Sequence, residues 1–338
     1  MKPLRVLFMG TPDFAADSLS ALISAGHEIV LVVTRPDAPS GRGLKAHASP
    51  VKRLAQAAGL PLVQPPRVKD EAFSRQAGSC GADVVVVVAY GRILPAPLLA
   101  MPRLGAVNLH ASLLPKWRGA APISRAIANG DRETGVTTMR MIERLDAGDI
   151  LMQRAAPIGE HETAGELERR LAQLGADLLV ETLEKLSLGT LAARPQNEAE
   201  ATYAPMLRKQ EGAVDWSLPA PSIDCRIRAF DPWPGAFTTG AGPHGRRLTL
   251  WKARPVGQPE DRGDRDAVEV GRDDRMAVPG TVGERVALLE GLTGIRVACG
   301  GGTSLALLEV QPEGRRRMTV QEAISGRHIA IGDRLGQG

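Results

Sequence analysis

"ADVVVVVAY" occupies residues 82–90, and its five consecutive valines carry no polar alternation. A strand with one face in water alternates apolar and polar residues, because successive side chains point to opposite faces. Five valines in a row therefore describe a strand covered on both sides, as in the centre of a parallel sheet. The chain on either side supports this reading. "LRVLFMG" (4–10) is an apolar strand ending at a glycine, and "EIVLVVT" (28–34) is another. Between them, "DFAADSLSALISAG" (13–26) has helical periodicity, with Asp13 as its expected cap and Gly26 just past its end. "SPVKRLAQAAG" (49–59) is a second helix, capped by Ser49 with Pro50 in its first turn. Downstream, "GAVNLH" (105–110) is a shorter strand of the same buried kind. Strands alternating with helices predict a Rossmann-like, doubly wound, mostly parallel α/β sheet. Sites in such sheets collect at the carboxyl ends of the strands.

The pattern changes after "ETAGELERRLAQLGADLLVETLEKLSLG" (162–189), a long amphipathic helix. "TLAARPQNEAEATYAPML" (190–207) reads as a linker, with Pro195 and Pro205, and "SLPAPSIDCRIRAF" (217–230) carries a further helix signal. The remainder holds β-like runs at 235–240, 246–256 and 295–312 with Gly-rich turns, which predicts a small barrel or sandwich. Residues 257–285, with five basic and eight acidic residues and little apolar content, read as a flexible surface loop. A chain of 338 residues exceeds the usual single core, so two domains are expected.

Composition narrows the class. The chain is 43% hydrophobic and 24% charged, as in ordinary globular proteins. Cys80, Cys225 and Cys299 are far apart and form no CxxC pair, which speaks against a disulfide framework or zinc knuckle and for a reducing compartment. The apolar run in "MKPLRVLFMG" is too short for a signal-peptide core, and no stretch approaches the ~20 apolar residues of a membrane span. A cytoplasmic protein is expected. The net charge is +4, and between Met206 and Pro255 eight Lys/Arg stand against four Asp/Glu, with "RRR" (315–317) as a second basic spot. Such a surface is either a solvated basic face or a contact for phosphate backbones, whose affinity would fall steeply with salt.

The chemistry-bearing residues lie together. Asn108 and His110, two apart on a strand, share a side. In "GVTTMRMIERLDAGDIL" (135–151), Asp146 opens a turn between two strand-like runs and could approach His110. An amine attacking a carbonyl needs a donor aimed at the developing oxyanion, a route for the amine proton, and exclusion of bulk water. An amide and an imidazolium can converge on one oxygen, and a carboxylate beside the imidazole orients it. Each residue also has a plainer reading: a hydrogen-bonded strand-end histidine, a turn or cap asparagine, and an Asx-turn aspartate. A dinucleotide site is disfavoured. "GTPDF" (10–14) has one glycine and a proline where the fingerprint needs three glycines, "SGRG" (40–43) lies far from a strand end, and no GxxxxGK[ST] occurs.

Five segments carry a resemblance that spans nearly the whole chain. "MGTPDFAADSL", "RPDAPSGRGLKAHASPVKRLA", "NLHASLLPKWRGAAPISRAIANGD", "TGVTTMRMIERLDAGDIL" and "IRAFDPWPGAF" resemble, in order and spacing, the methionyl-tRNA formyltransferase family. The His–x–Ser–Leu–Leu–Pro element and the Asp–x–Gly–Asp turn resemble all folate-dependent formyltransferases. "GTPDFA" and "RAFDPWP" are similar to the tRNA enzymes. The resemblance implies that Asn108, His110 and Asp146 are catalytic, and that Ser112, Leu113, Leu114 and Pro115 contact the tetrahydrofolate carrier. It also implies that the 35–49 loop, with Arg42 and Lys45, enters the tRNA acceptor end. By the same resemblance the donor is 10-formyltetrahydrofolate, no metal takes part, and the partner is initiator methionyl-tRNA. The expected domains are a catalytic domain (1–189), a linker (190–205) and an OB-like β-barrel with a basic tRNA-binding face (206–338). A monomer is expected, since no long exposed apolar stripe stands out. Departures from the family pattern are Leu44 before a single Lys45 where two lysines are usual, the long 257–285 stretch, and the ending "RHIAIGDRL" (327–335). The alternatives are a formyltransferase for an amino sugar or purine precursor, or a catalytically inert RNA-binding protein on the same scaffold.

Overall fold

The computed structural model describes residues 3–40, 45–242, 245–256, 278–288 and 292–336. β1 (Arg5–Gly10) leads through α1 (Asp13–Ser24) to β2 (Glu28–Val33). A short antiparallel pair, β3 (Ala38–Ser40) and β4 (Lys45–His47), precedes α2 (Pro50–Ala57) and β5 (Leu62–Val63). α3 (Glu71–Ser79) connects to β6 (Val84–Val88), and α4 (Ala96–Ala100) to β7 (Ala106–His110). After the two-residue β8 (Arg118–Gly119) and α5 (Pro122–Asn129) come an antiparallel pair, β9 (Glu133–Arg140) and β10 (Ile150–Pro157). α6 (Ala164–Ser187) and the two-residue β11 (Tyr203–Ala204), which pairs with β8, complete this part.

The main sheet runs β10-β9-β7-β6-β1-β2-β5. β5, β2, β1, β6 and β7 are parallel, and β9 is antiparallel to β7. The order of winding reverses between β1 and β6, the kind of switch point beside which ligands bind in open α/β sheets. The five valines of β6 are all buried, as a strand with neighbours on both edges and helices on both faces requires. Val85 and Val87 pack with Leu7, Met9, Phe73 and Leu98 in one cluster.

Local signals act much as the residues suggest. Ser49 accepts the Lys52 amide at 3.1 Å as the cap of α2. Gly26 lies at φ +81 after α1. The expected Asp13 cap is corrected: Pro12 holds the cap position without a side-chain bond, and Asp13 is the first helical residue. There its carboxylate still faces the positive end of the helix, so the acidic signal is displaced by one residue.

By internal packing the chain divides into two units. One comprises the chain up to Ile123, Glu133–Ile158 and Glu166–Met206. The other comprises Ser124–Arg132, Gly159–Gly165 and the chain from Leu207 onward. The second unit contains α7 (Ala220–Ala229), β12 (Ala236–Ala241), β13 (Arg246–Val256), β14 (Val282–Ala287), β15 (Thr293–Ala298), β16 (Ser304–Pro312), β17 (Met318–Thr319) and α8 (Val320–Ser325). Its strands form an antiparallel sheet in the order β12-β13-β16-β15-β14, with β17 on β16. Register shifts around Lys252 bend the long β13. Trp216, Ile223, Ile227, Leu250, Ile295 and Leu307 belong to its buried core.

The flexible-loop reading of 257–285 is corrected at its end, because Val282–Ala287 is β14 with Val282 and Val286 buried. Glu284 and Arg285 are exposed, and a register shift between Val282 and Arg285 breaks the alternation that marks a strand. Residues 257–277 lie outside the described residues. Among the described residues, no helix is long and apolar enough to cross a membrane.

Candidate active site

Strand alternation decides which side chains β7 presents to each face. Leu109 points to α6, where Gly175 admits it; a Cβ at 175 would stand 2.8 Å from the Leu109 side chain. Thr138, opposite Leu109, also faces α6, with its hydroxyl 2.8 Å from that of Thr182. Asn108 and His110 therefore share the other face, opposite Met139 and Thr137 of β9. Both are nearly buried, at 9% and 6% exposure. Within the described residues the Asn108 carboxamide forms no hydrogen bond, so its donors face the site unengaged.

His110 is bracketed. Its Nε2 lies 2.9 Å from the Trp117 carbonyl, which can only accept, so this nitrogen carries a proton. Its Nδ1 lies 3.8 Å from Asp146 Oδ2, beyond hydrogen-bond reach but within ion-pair distance. The same carboxylate oxygen accepts the Gly119 amide at 2.8 Å. Asp146 has φ +48, a left-handed backbone that a non-glycine residue keeps only when its surroundings hold it.

The Ser112–Pro115 turn follows β7 directly and is fastened to the sheet by Thr137. The Thr137 hydroxyl donates to Ser112 O at 2.6 Å and accepts from Leu114 N at 3.2 Å. Gln153 of β10 donates to Leu114 O at 2.8 Å and to Thr137 Oγ1 at 3.1 Å. Ser112 closes the turn by donating to Lys116 O at 2.6 Å. Leu114 is buried with Met139 and Ile150. Leu113 packs against Gly135, where a Cβ would stand 2.7 Å from its side chain.

The structure thus brings Asn108, His110, Asp146 and the Ser112–Pro115 turn to the end of β7. It places Lys45 in β4 opposite Ser40, and Arg42 lies outside the described residues. Sequence reasoning misses Thr137, Gln153 and Gln196, which hold backbone groups of the site, and Arg118, whose guanidinium holds Gln196. Thr137 and Gln153 carry a signal: they are polar residues opposite each other on β9 and β10, on the sheet face that meets the Ser112–Pro115 turn. Among the described residues no group of three or more His, Cys, Asp or Glu side chains could hold a metal ion.

Residues 4–183 match the formyl transferase family, and residues 206–328 match the formyl transferase C-terminal domain. Methionyl-tRNA formyltransferase from Symbiobacterium thermophilum is 46% identical over 332 residues, covering 98% of this chain and 95% of that one. The enzyme of the same name from Thiobacillus denitrificans is 46% identical over 333 residues, covering 98% and 100%. The chain belongs to the methionyl-tRNA formyltransferase family. Solved structures repeat the architecture at low identity. An N-formyltransferase from Helicobacter canadensis, in complex with folinic acid and dTDP-3-aminofucose, aligns with TM-score 0.62 and 16% identity over 90% of this chain and 98% of its own. HypX from Aquifex aeolicus, in complex with tetrahydrofolic acid, aligns with TM-score 0.61 and 17% identity over 98% of this chain, which spans 48% of HypX. At such identities the likeness is one of fold.

Proposed function

We propose that this chain transfers the formyl group of 10-formyltetrahydrofolate to the α-amino group of methionine on initiator methionyl-tRNA, the step that prepares it for translation initiation. The acceptor follows from the full-length likeness to relatives of that name. The chemistry follows from one geometric observation: a nearly buried, unengaged Asn108 carboxamide on the same face as a His110 ring held at Nε2 by the Trp117 carbonyl, with the Asp146 carboxylate 3.8 Å from Nδ1.

The amine lone pair attacks the formyl carbon, and the carbonyl π electrons move to oxygen. The Asn108 amide donates to this oxyanion, and His110, as imidazolium between the Trp117 carbonyl and Asp146, supplies positive charge beside it. Asp146 orients His110 from 3.8 Å. Collapse of the tetrahedral intermediate re-forms the carbonyl and breaks the bond to N10 of the carrier. The proton lost by the amine ends on that nitrogen, leaving tetrahydrofolate and formylmethionyl-tRNA. The near-burial of Asn108 and His110 limits water, which strengthens each of these interactions.

Ser112, Leu113, Leu114 and Pro115 seat the folate carrier, on a turn whose backbone Thr137 and Gln153 pre-order. The loop with Arg42 and Lys45 takes the acceptor end of the tRNA, and the basic excess of the C-terminal part contacts its backbone. The corresponding division is a catalytic domain (1–189), a linker (190–205) and a tRNA-binding domain (206–338), acting as a single chain in the cytoplasm. The test is formylation of charged initiator methionyl-tRNA, charged elongator methionyl-tRNA and an amino-sugar nucleotide, each with 10-formyltetrahydrofolate. Product from the initiator species alone is expected, and product from the amino sugar alone would overturn the proposal.

A further inference from the structure

The loop that carries Asp146 is held by a residue outside the trio. Gln196, in the segment after α6, donates its Nε2 to Asp146 O at 2.9 Å and to Gly148 O at 2.7 Å. Its Oε1 accepts from Arg118 Nε at 3.0 Å and Nη2 at 2.8 Å. Arg118 is 2% exposed, and its guanidinium also forks onto Glu198, with Nη1 3.1 Å from Oε2 and Nη2 2.9 Å from Oε1. Hydrogen bonds from Arg118 hold the Glu198 carboxyl below the usual carboxylate range. Arg144, on the Asp146 loop, pairs with the same carboxylate.

Register explains why this loop needs a clamp. Arg140 lies opposite Val107 and Thr137 opposite His110, so β9 ends near the start of β7. The loop leaves about 10 Å of strand away from His110, taking three residues at ~3.3 Å each, and must fold back. Asp146 then stands at a left-handed φ with its side chain between His110 and the Gly119 amide. A closed circuit results. His110 binds the Trp117 carbonyl, Arg118 is next in the chain and holds Gln196, and Gln196 holds the backbone of Asp146, which faces His110 again.

The residue type fits the task. A glutamine carries two N–H donors and an acceptor at the end of one arm, enough for two carbonyls and a guanidinium together. A glutamate would set a carboxylate against the two carbonyls while still accepting from Arg118, and a methionine would fill the space with no partner for either side.

We propose that Gln196 is a positioning residue for formyl transfer: its carboxamide, braced by the buried Arg118, keeps the Asp146 carboxylate against His110. This rests on the reading of Asn108, His110 and Asp146 as the catalytic trio. The segment that reads in sequence as a linker therefore supplies part of the active site.

The test uses the full-length chain and four variants, Q196E, Q196M, D146N and the double variant Q196E/D146N, with kcat, both KM values and the thermal midpoint measured for each. Q196E is expected to lower kcat about 100-fold, the cost of a displacement of about 1 Å in a catalytic group, with little change in either KM. In the D146N background the same substitution is expected to cost little more, because it acts through Asp146. Q196M, which keeps the volume, is the second variant should Q196E fold poorly, and the same loss of kcat is expected. A lowered midpoint with unchanged kcat, or a Q196E penalty of equal size in the D146N background, overturns the proposal while leaving the trio standing. Wild-type kcat in D146N itself overturns the trio reading instead.

Discussion

Asp146 Oδ2 accepts a hydrogen bond from the Gly119 amide at 2.8 Å while standing 3.8 Å from His110 Nδ1. One oxygen thus serves a fixed backbone donor and the imidazole together. Asp146→Asn keeps the shape but removes the charge, so kcat should fall by about 100-fold or more at unchanged folding midpoint, the scale of losing one electrostatic element of an oxyanion site. Steady-state kinetics beside a melting curve check this; wild-type turnover would remove Asp146 from the mechanism.

Asn108 presents unengaged donors from a nearly buried position. Asn108→Ala deletes the donor without stranding a protein partner. The expected loss is about 3 kcal/mol of transition-state stabilisation, or roughly 100- to 1,000-fold in kcat, with stability little changed. A variant with near-normal kcat and raised KM would make Asn108 a ground-state binder only.

Thr137 ties the Ser112–Pro115 turn to β9 through one donated and one accepted bond, and its hydroxyl also accepts from Gln153 of β10. Thr137→Val leaves Ser112 O and Leu114 N without this partner, at a cost of about 1–3 kcal/mol. Denaturant titration should show that loss, and the KM for 10-formyltetrahydrofolate should rise more than the KM for tRNA. Equal changes in both would argue against a folate role for the turn.

His27 gives the fold a pH dependence. Its Nδ1 accepts the Leu4 amide at 3.2 Å, and its Nε2 is buried without a partner, so burial pushes the imidazole below its ordinary pKa. The unfolded chain then binds a proton more readily than the folded one. The stabilising contribution is complete above about pH 6.5 and is lost as pH falls from there toward the depressed folded value. Urea midpoints measured from about pH 7 down to about pH 5 should fall less in His27→Gln than in the parent chain. Parallel slopes would refute the assignment.

Burial pushes the Cys299 thiol up to about 12, and its side chain is 4% exposed. Native-state alkylation at mildly alkaline pH should leave Cys299 unmodified and modify it only after unfolding, because the thiolate is the nucleophile. Peptide mapping of the labelled protein reads the outcome, and rapid native labelling of Cys299 would contradict its burial in the core of the second unit.

Much of the fold is legible in sequence because its signals are local. The valines of β6 need no partner to declare themselves buried, and Ser49 and Gly26 mark helix ends by their own chemistry. β14 is not legible, since Glu284 and Arg285 interrupt its apolar alternation at a register shift. Asn108 and His110 can be read as sharing a face from spacing alone, as strand geometry requires. Thr137 and Gln196 cannot. The first matters because an antiparallel register sets it opposite His110, and the second because a polar segment returns across the Asp146 loop. "RPQNEAE" has the composition of a solvated connector, and only the folded chain gives Gln196 three partners.

The valine strand also bears on how the chain is made. Outside the sheet, Val84–Val88 is an uncharged β-branched run of the type that stacks with copies of itself. Its two edges are covered by β1, translated long before it, and by β7, which follows soon after α4. Until β7 pairs, one edge of the run stays open to another nascent chain. Asp83 stands at its head, tied to the Arg5 amide at 2.9 Å and to Arg103 at 2.8 Å in the finished fold. In the unfinished one it is a charge flanking an apolar strand, the placement that disfavours pairing of such runs between chains.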